Sequence, residues 1–551
     1  MDYKSDREKL PGDGSPLEQP GSRHEAESAE LNDDRNGQFH RSFTPRQVHI
    51  ISLGSNIGSG VFIGTGSALA SGGPGNMIIA YALVCSCVWA VLQTLSEMTI
   101  AFPTSGNFID YAGRWVDPAL AFGAGFAEWL GEESSWTAII AAEAVFCDIL
   151  INFWADGAIP PAAVYTVFLA ATFVIFLLPN TIFAWFEYFT SLIKIFLFLI
   201  IILLSLALVC GAGPSGEVHS GSTWTELNAF KNGFSGFANA ALLATWAVGD
   251  QVFIGIMGGE AHSPRHALGH ATKLVPYRVG IVYMLSVMFI TLLVRSDDER
   301  LLGGSGVTAS PFVIATLDSG IAVISDILNA GMIVGILAIS AEAVYLSSRV
   351  LRTMAHQKLV PEFIAKVDSQ GRPRWALAIT CGVGVILTYI NLAAGGRTAF
   401  TWLISITSAS FFCMWIIIGF TSFRFHRALK LQNDPLFTEP YAWKSVGWPL
   451  APTWLLSICA LLTASCFAIG IKPLGGGGFN PNNFFQYIIG ILIIVVFTVG
   501  YKVIMRTPWR DLATADLRTG RRHLNVEEIN QLDAYYSMSK WRRFGTYVQL
   551  W

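Results

Sequence analysis

Long apolar runs separated by short polar loops constrain this chain more than any other feature. SLIKIFLFLIIILLSLALVC (Ser191 to Cys210) and FFQYIIGILIIVVFTVGYKVIM (Phe484 to Met505) each have the length that spans a bilayer, about 20 residues. A window of that width finds about twelve such runs, centred near residues 58, 88, 142, 170, 200, 246, 285, 336, 384, 411, 460 and 494. The runs are continuous and do not alternate with a period of two, which excludes a β-barrel. Only 14% of residues are charged against 52% hydrophobic, where soluble chains carry about 25% charged residues. The chain therefore reads as an all-α polytopic membrane protein. Its first run is too long and too late in the chain for a cleaved signal peptide.

Polar segments flank the runs. Residues 1–46 are rich in Pro, Ser, Asp, Glu and Arg and poor in aromatics, the composition of a disordered cytosolic tail. Residues 506–551 form a second polar cytosolic tail, in which NVEEINQLDAYYSM suggests a short amphipathic helix. The membrane domain is expected over 47–505. The eight cysteines (85, 87, 147, 210, 381, 413, 459, 466) lie in or at the ends of apolar runs, where they read as small core residues and not as disulfide or zinc ligands. Twelve spans place both termini on one side. The loops on that side hold Arg114, Arg265, Lys273, Arg278, Arg349, Arg352, Lys358, Lys366, Arg372, Arg374, Arg424, Arg427, Lys430 and Lys444. The opposite loops hold Lys231, Arg295, Arg300, Arg397 and Lys472. The positive-inside rule puts the termini in the cytosol.

The first run contains LGSNIGSGVFIGTGSALASGGPG, Leu53 to Gly75, with eight glycines. Glycine costs a helix interior about 1 kcal/mol relative to alanine, so the pattern needs a use. In a bilayer, unwound backbone is tolerated only inside protein or along a cavity. There it presents amides and a helix N-terminus to an anion such as a carboxylate. Asn56 to Gly60 lies near the middle of this run. Five runs later, ALLATWAVGDQVFIGIMGGE carries Gly249, the intramembrane Asp250, Gly255, Gly258 and Gly259. Interrupted helices one and six are what a repeat of five helices yields. The alternative is close helix packing through small residues, which the Gly54/Gly58 and Gly60/Gly64 spacings also fit.

The stretch NIGSGVFIGTGSALASGGPGNMIIAYALVCSCVWAVLQTLSEMTIAFPTSGNFIDYAGRWVDPALAFGAGFAEWL resembles the fungal amino acid permeases of the amino acid–polyamine–organocation superfamily. The likeness recurs at WFEYFTSLIKI, at GGEAHSPRHALGHATKLVPYRVGIVY and at YLSSRVLRTMAHQKLVPEFIAKVDSQGRPRWALAIT, in order along roughly residues 42–510. The resemblance implies five-plus-five inverted repeats with discontinuous helices one and six, two extra helices, and proton-driven transport of amino acids across the plasma membrane. No cofactor or nucleic acid partner is implied.

By the same resemblance, Ile57, Gly58, Ser59 and Gly60 match the motif whose amides bind the substrate α-carboxylate. The family usually opens this motif with two glycines and a threonine, where this chain has Gly54, Ser55 and Asn56. Thr245, Trp246, Ala247 and Gly249 match the sixth-helix break, which supplies carbonyls to the substrate ammonium and an aromatic gate, here Trp246, unless that ring packs against lipid. The family glutamate that follows falls on Val252, beside Asp250 and Gln251.

Acids inside a membrane are functional candidates by default. Glu143 precedes Trp154 by eleven residues, about 16 Å along a helix, which places it near the midplane for a substrate or proton role, the alternative being a structural, hydrogen-bonded glutamate. Glu128 is expected at the cytosolic surface, and Glu132 and Glu133 at an interface. Glu342 stands where the family has a small hydroxyl residue. It is read as a proton carrier, a counter-charge to a cationic substrate, or a partner of another span. Lys194 occupies the position where a lysine in sodium-independent relatives takes the place of a sodium ion. The alternatives are snorkelling to the interface or pairing with Glu187, two turns away. His262, His266 and His270 follow Glu260 at four-residue spacing. Pro264 and the lack of a completing ligand argue against a metal there.

No HExxH, GxSxG or phosphate-loop pattern is present, which disfavours an enzyme. Amino acid symport with protons is the first expectation. Uptake of choline, γ-aminobutyrate or a polyamine is the second, and a non-transporting amino acid sensor the third.

Overall fold

A computed structural model describes residues 44–549, except 55–56, 105, 130–135, 214–215, 250–254, 256–263, 303–309, 321, 395, 475–477 and 525. Among the described residues the secondary structure is helical, with no strand. Helix α1 (Pro45–Gly54) is followed by a break and a π-helical turn, Gly60–Gly64, that runs directly into α2 (Thr65–Ala101). Two expected spans are thus merged. They turn at Gly73, whose φ of +74° is open to glycine, with Pro74 next. Asn76 secures this corner by donating from Nδ2 to the carbonyls of Gly72, Lys231 and Gly233.

Then come α3 (Asn107–Trp115), α4 (Pro118–Trp129), α5 (Trp136–Ala155), α6 (Pro161–Val174) and α7 (Asn180–Val209). The second half holds α8 (Gly233–Val248), α9 (Pro264–Leu293), α10 (Pro311–Asp318), α11 (Ala322–His356), α12 (Arg374–Ala394), α13 (Gly396–Gln432), α14 (Leu450–Ile471) and α15 (Pro481–Met505). Nine described stretches are long and apolar enough to cross a membrane, accompanied by shorter apolar helices at Pro161–Leu177 and Gly233–Val248. Eleven of the expected run centres fall on helices, and the first, near residue 58, falls on the break itself.

Helix α2 packs along α8 and α9, α11 along α5 and α7, and α15 along α4. Helix α7 shows how a membrane helix divides its faces. Glu187, Ser191, Lys194, Phe198, Ile201 and Ser205 form a buried stripe at three- and four-residue spacing, while Phe189, Ile193, Phe196, Leu203 and Leu206 are exposed. Lys194 therefore points into the protein and does not snorkel. Glu128, expected at a surface, is also buried, at 2% exposure. Helix α4 lies against α15, α3 and α11, and hydropathy could not reveal that cover. Of the cysteines, Cys87, Cys147, Cys459 and Cys466 are buried, whereas Cys210 is exposed at the end of α7.

The segment after α15 is docked against the helix ends. Trp115 Nε1 donates to the Asp516 carbonyl at 2.9 Å, Arg114 to that of Thr519 at 2.7 Å, and the Arg522 amide to Ala101 at 3.0 Å. Gln432 Nε2 donates to the carbonyls of Leu512 and Ala515. Arg521 bridges Asp434 at 2.8 Å and Glu439 at 2.6 Å. Helices α16 (Val526–Ser537), the NVEEINQLDAYYSM segment, and α17 (Lys540–Gln549) follow.

Candidate functional site

The break after α1 is the centre of the site. Val61 and Phe62 donate their amides to the Gly58 carbonyl, both at 3.1 Å. The amides of Gly58, Ser59 and Gly60 precede these first donors, where a helix start has no acceptor of its own to offer. Ile57 and Ser59 are buried. The glycines let neighbours approach. A Cβ on Gly60 would lie 2.6 Å from the Ala247 Cα and 3.0 Å from its amide nitrogen, both backbone atoms of α8. One on Gly54 would lie 2.5 Å from the Ser191 Cβ of α7, and one on Gly58 would strike the Ile339 Cδ1 of α11. Close packing and an opened backbone, posed as alternatives for these glycines, occur together in one segment.

Helix α8 ends at Val248, with the Gly249 amide donating to the Thr245 carbonyl at 2.6 Å. Thr245 is buried, and its hydroxyl donates back to the Ala241 carbonyl at 2.8 Å. The Ala247 carbonyl accepts from the Tyr283 hydroxyl at 3.1 Å. Two of the carbonyls expected to meet a ligand ammonium thus already accept one bond each, leaving a second lone pair on each oxygen. Trp246 lies with its ring over Gly64 and stacks on Phe146 of α5 at 5.5 Å. Asp250 lies outside the described residues, as do Glu132, Glu133, Glu260 and His262.

Beside the break, the Ser59 hydroxyl donates to Glu143 Oε1. Glu143 is buried on α5, and its Oε2 has no hydrogen-bond partner among the described residues. Lys194 is within electrostatic reach of Glu143, Glu187 and Glu342. All four are at most 2% exposed. The Lys194 stem passes Gly335 of α11, where a Cβ would also meet the Phe62 ring. The structure therefore brings Ile57, Gly58, Ser59 and Gly60 together with Thr245, Trp246, Ala247 and Gly249. It adds Glu143, Lys194 and Glu342 on one side.

Three contributors escaped sequence reasoning. Phe146 lies three residues after Glu143 on the same helix face, a spacing that would have identified it. Tyr283 and Ile339 sit in ordinary apolar runs, and nothing local marks them.

Comparisons with known proteins identify the family. The amino acid permease family model matches residues 47–513. The amino-acid permease GAP3 of Candida albicans is 32% identical over 503 residues, covering 91% of this chain and 82% of its own. The cationic amino acid transporter 1 of Schizosaccharomyces pombe is 30% identical, covering 89% and 83%. Among solved structures, Mhp1, a nucleobase-cation-symport-1 family transporter, matches at 14% identity with a TM-score of 0.46, covering 90% of this chain and 98% of its own. The family model over residues 47–513 and relatives about 30% identical along nine-tenths of the chain give one assignment: the chain belongs to the amino acid permease family, multi-pass membrane proteins that carry amino acids and are not enzymes.

Proposed function

We propose that the chain is a proton-coupled symporter of L-amino acids in the plasma membrane, with residues 1–46 and 506–551 as cytosolic tails. The observation that carries this reading is the Ser59–Glu143 hydrogen bond at the break, with Lys194 in electrostatic reach. It ties an anion-binding backbone to titratable groups inside the membrane. The amides of Gly58, Ser59 and Gly60, together with Ile57, receive the substrate carboxylate at the start of the new helix. The carbonyls of Thr245, Ala247 and Gly249 face the ammonium, and Trp246 covers the pocket. Glu143, Lys194, Asp250 and Glu342 supply the charges that couple to the proton.

Coupling follows from this arrangement by linkage. An amino acid entering beside Ser59 changes the environment of Glu143, and a proton bound in the cluster changes the affinity for the amino acid by the same factor. The basic residues of the loops on the terminal side support the cytosolic placement.

A second reading is transport of a cationic substrate, including cationic amino acids, choline and polyamines. The buried carboxylate of Glu342 favours it, and a relative is named as a cationic amino acid transporter. Radiolabelled uptake in permease-deficient yeast separates the readings. Measured at acidic and neutral pH, with and without a protonophore, uptake of an L-amino acid that rises in acid and collapses with the protonophore is expected. Surface-expressed protein with no amino acid uptake or competition overturns the first reading. Uptake confined to cations moves the assignment to the second.

A further inference from the structure

The interface between α7 and α11 has an antiparallel register that three contacts define. Phe183 stacks on Tyr345 with ring centroids 4.6 Å apart and 7° between planes. The Lys194 stem passes Gly335, and Leu197 closes on Gly331, where a Cβ would lie 2.9 Å from its Cδ1. Residue numbers rise by fourteen along α7 from Phe183 to Leu197 and fall by fourteen along α11 from Tyr345 to Gly331. Within that register Glu187, one turn after Phe183, comes opposite Glu342, about one turn before Tyr345.

Among the described residues, neither carboxylate has a hydrogen-bond partner on either oxygen, and neither does Lys194 Nζ. Glu187 and Lys194 are 0% exposed and Glu342 is 1% exposed. Two buried carboxylates facing each other resist being ionised together, and an uncompensated buried charge is strongly disfavoured. A shared proton removes one charge and supplies a donor between the oxygens. Lys194, on the same side of the Phe183–Tyr345 stack, balances the other. Arg349, beyond that stack, lies on the Tyr345 ring at 3.6 Å. Among the described residues Glu143 is a further acid in reach of Lys194, and it accepts from Ser59.

We propose that Glu187 and Glu342 form a proton-sharing carboxyl pair across the α7–α11 interface, and that this pair, held by Lys194, carries the coupling proton. The inference rests on the proton-coupled reading above and assigns the proton to this pair, leaving Glu143 to order Ser59 at the break. The proton arrives from water on one face, resides between the two carboxyl groups, and leaves to water on the other. No other bond changes. A metal cation is a poor occupant, because the Lys194 ammonium already supplies the positive charge.

The test uses full-length protein in liposomes and two readouts: substrate counterflow, which needs no net proton movement, and accumulation driven by a pH gradient. A gradient of about one unit supports up to about tenfold accumulation per coupled proton. For Glu342→Gln and Glu187→Gln, the ratio of gradient-driven accumulation to counterflow is expected to fall about tenfold under that gradient. Glu342→Ser, with a smaller side chain, provides the same measurement if the glutamine variant does not fold. Gradient-driven accumulation that survives in both positions overturns the inference while leaving symport intact. Equal loss of both readouts overturns it too, because the carboxylates are then part of the framework. Accumulation by the unaltered protein that follows sodium and not protons overturns both the pair and the proton-coupled reading.

Discussion

Gly60→Ala tests whether close backbone approach at the break is what the glycines provide. The added Cβ would meet the Ala247 Cα at 2.6 Å, its nitrogen at 3.0 Å and the Trp246 carbonyl oxygen at 3.1 Å. Ordinary contact begins near 3.5 Å, so α8 must retreat from the break by most of an ångström. Backbone atoms cannot rotate away as a side chain can. Overpacking of this kind costs about 1–3 kcal/mol, a factor of about 5 to 150 in any equilibrium that requires the packed arrangement. Gly58→Ala is the comparison. Its Cβ would overlap the Ile339 Cδ1, the far end of a flexible side chain, so the neighbour can turn aside. Uptake kinetics and detergent thermal stability of both variants give the measurement. Gly60→Ala is expected to raise KM and lower Tm, and Ala247→Gly is not expected to rescue it, because the clash is with the main chain. Gly58→Ala is expected to be milder and to be relieved by Ile339→Val. Unchanged KM and Tm for Gly60→Ala, or a larger effect at Gly58, would refute the reasoning.

Three further outcomes follow from the same structure. Ser59→Ala strips Glu143 of the hydroxyl that donates to it and is expected to cost about 1–3 kcal/mol, read as lower uptake affinity and lower stability; an unaltered variant would show that the bond is idle. Arg521→Ala leaves Asp434 and the partly exposed Glu439 without their cation. A fully buried loss would be about 3–5 kcal/mol; with one partner reaching solvent, about 2 kcal/mol is expected, seen as faster proteolysis after residue 505 and a lower Tm. In the loop before α10, hydrogen bonds from Arg300 hold Asp298 below the usual carboxylate range. A lowered acid contributes its full stability above its unfolded value, near 4, and loses it as pH falls through the lower folded value. The amide-exchange protection factors of residues 295–302, each observed rate divided into the intrinsic rate at that pH, should therefore stay constant from neutral pH to about pH 5 and fall only in stronger acid; a fall at mild acidity would contradict the assignment.

Much of the architecture was legible in the sequence because hydropathy summed over about 20 residues is a local quantity and the bilayer reads it directly. The runs at 191–210 and 484–505 became α7 and α15 with little adjustment. The glycine cluster pointed to a break near Ile57–Gly58, while close helix packing fitted the same spacing, and the structure shows both uses. The pairing of Ser59 with Glu143 was not legible. Eighty-four positions separate them, and no periodicity connects residues on different helices. The same reason hid the cover over Glu128 and the docking of residues 510–522 on α2, α3 and α13.

Sequence by itself determined that this chain crosses a membrane many times, breaks its first helix at a glycine cluster and belongs among amino acid carriers. Each of those properties is written in consecutive residues. Tertiary structure alone decided which partner each polar group meets. Lys194 illustrates the division: its flexible stem could equally have reached an interface. The buried stripe of α7 turns it inward, toward Gly335 and the acids of two neighbouring helices. A single charge contributes little to a windowed average, but its cost and its use depend on what faces it, and only the packed helices set that.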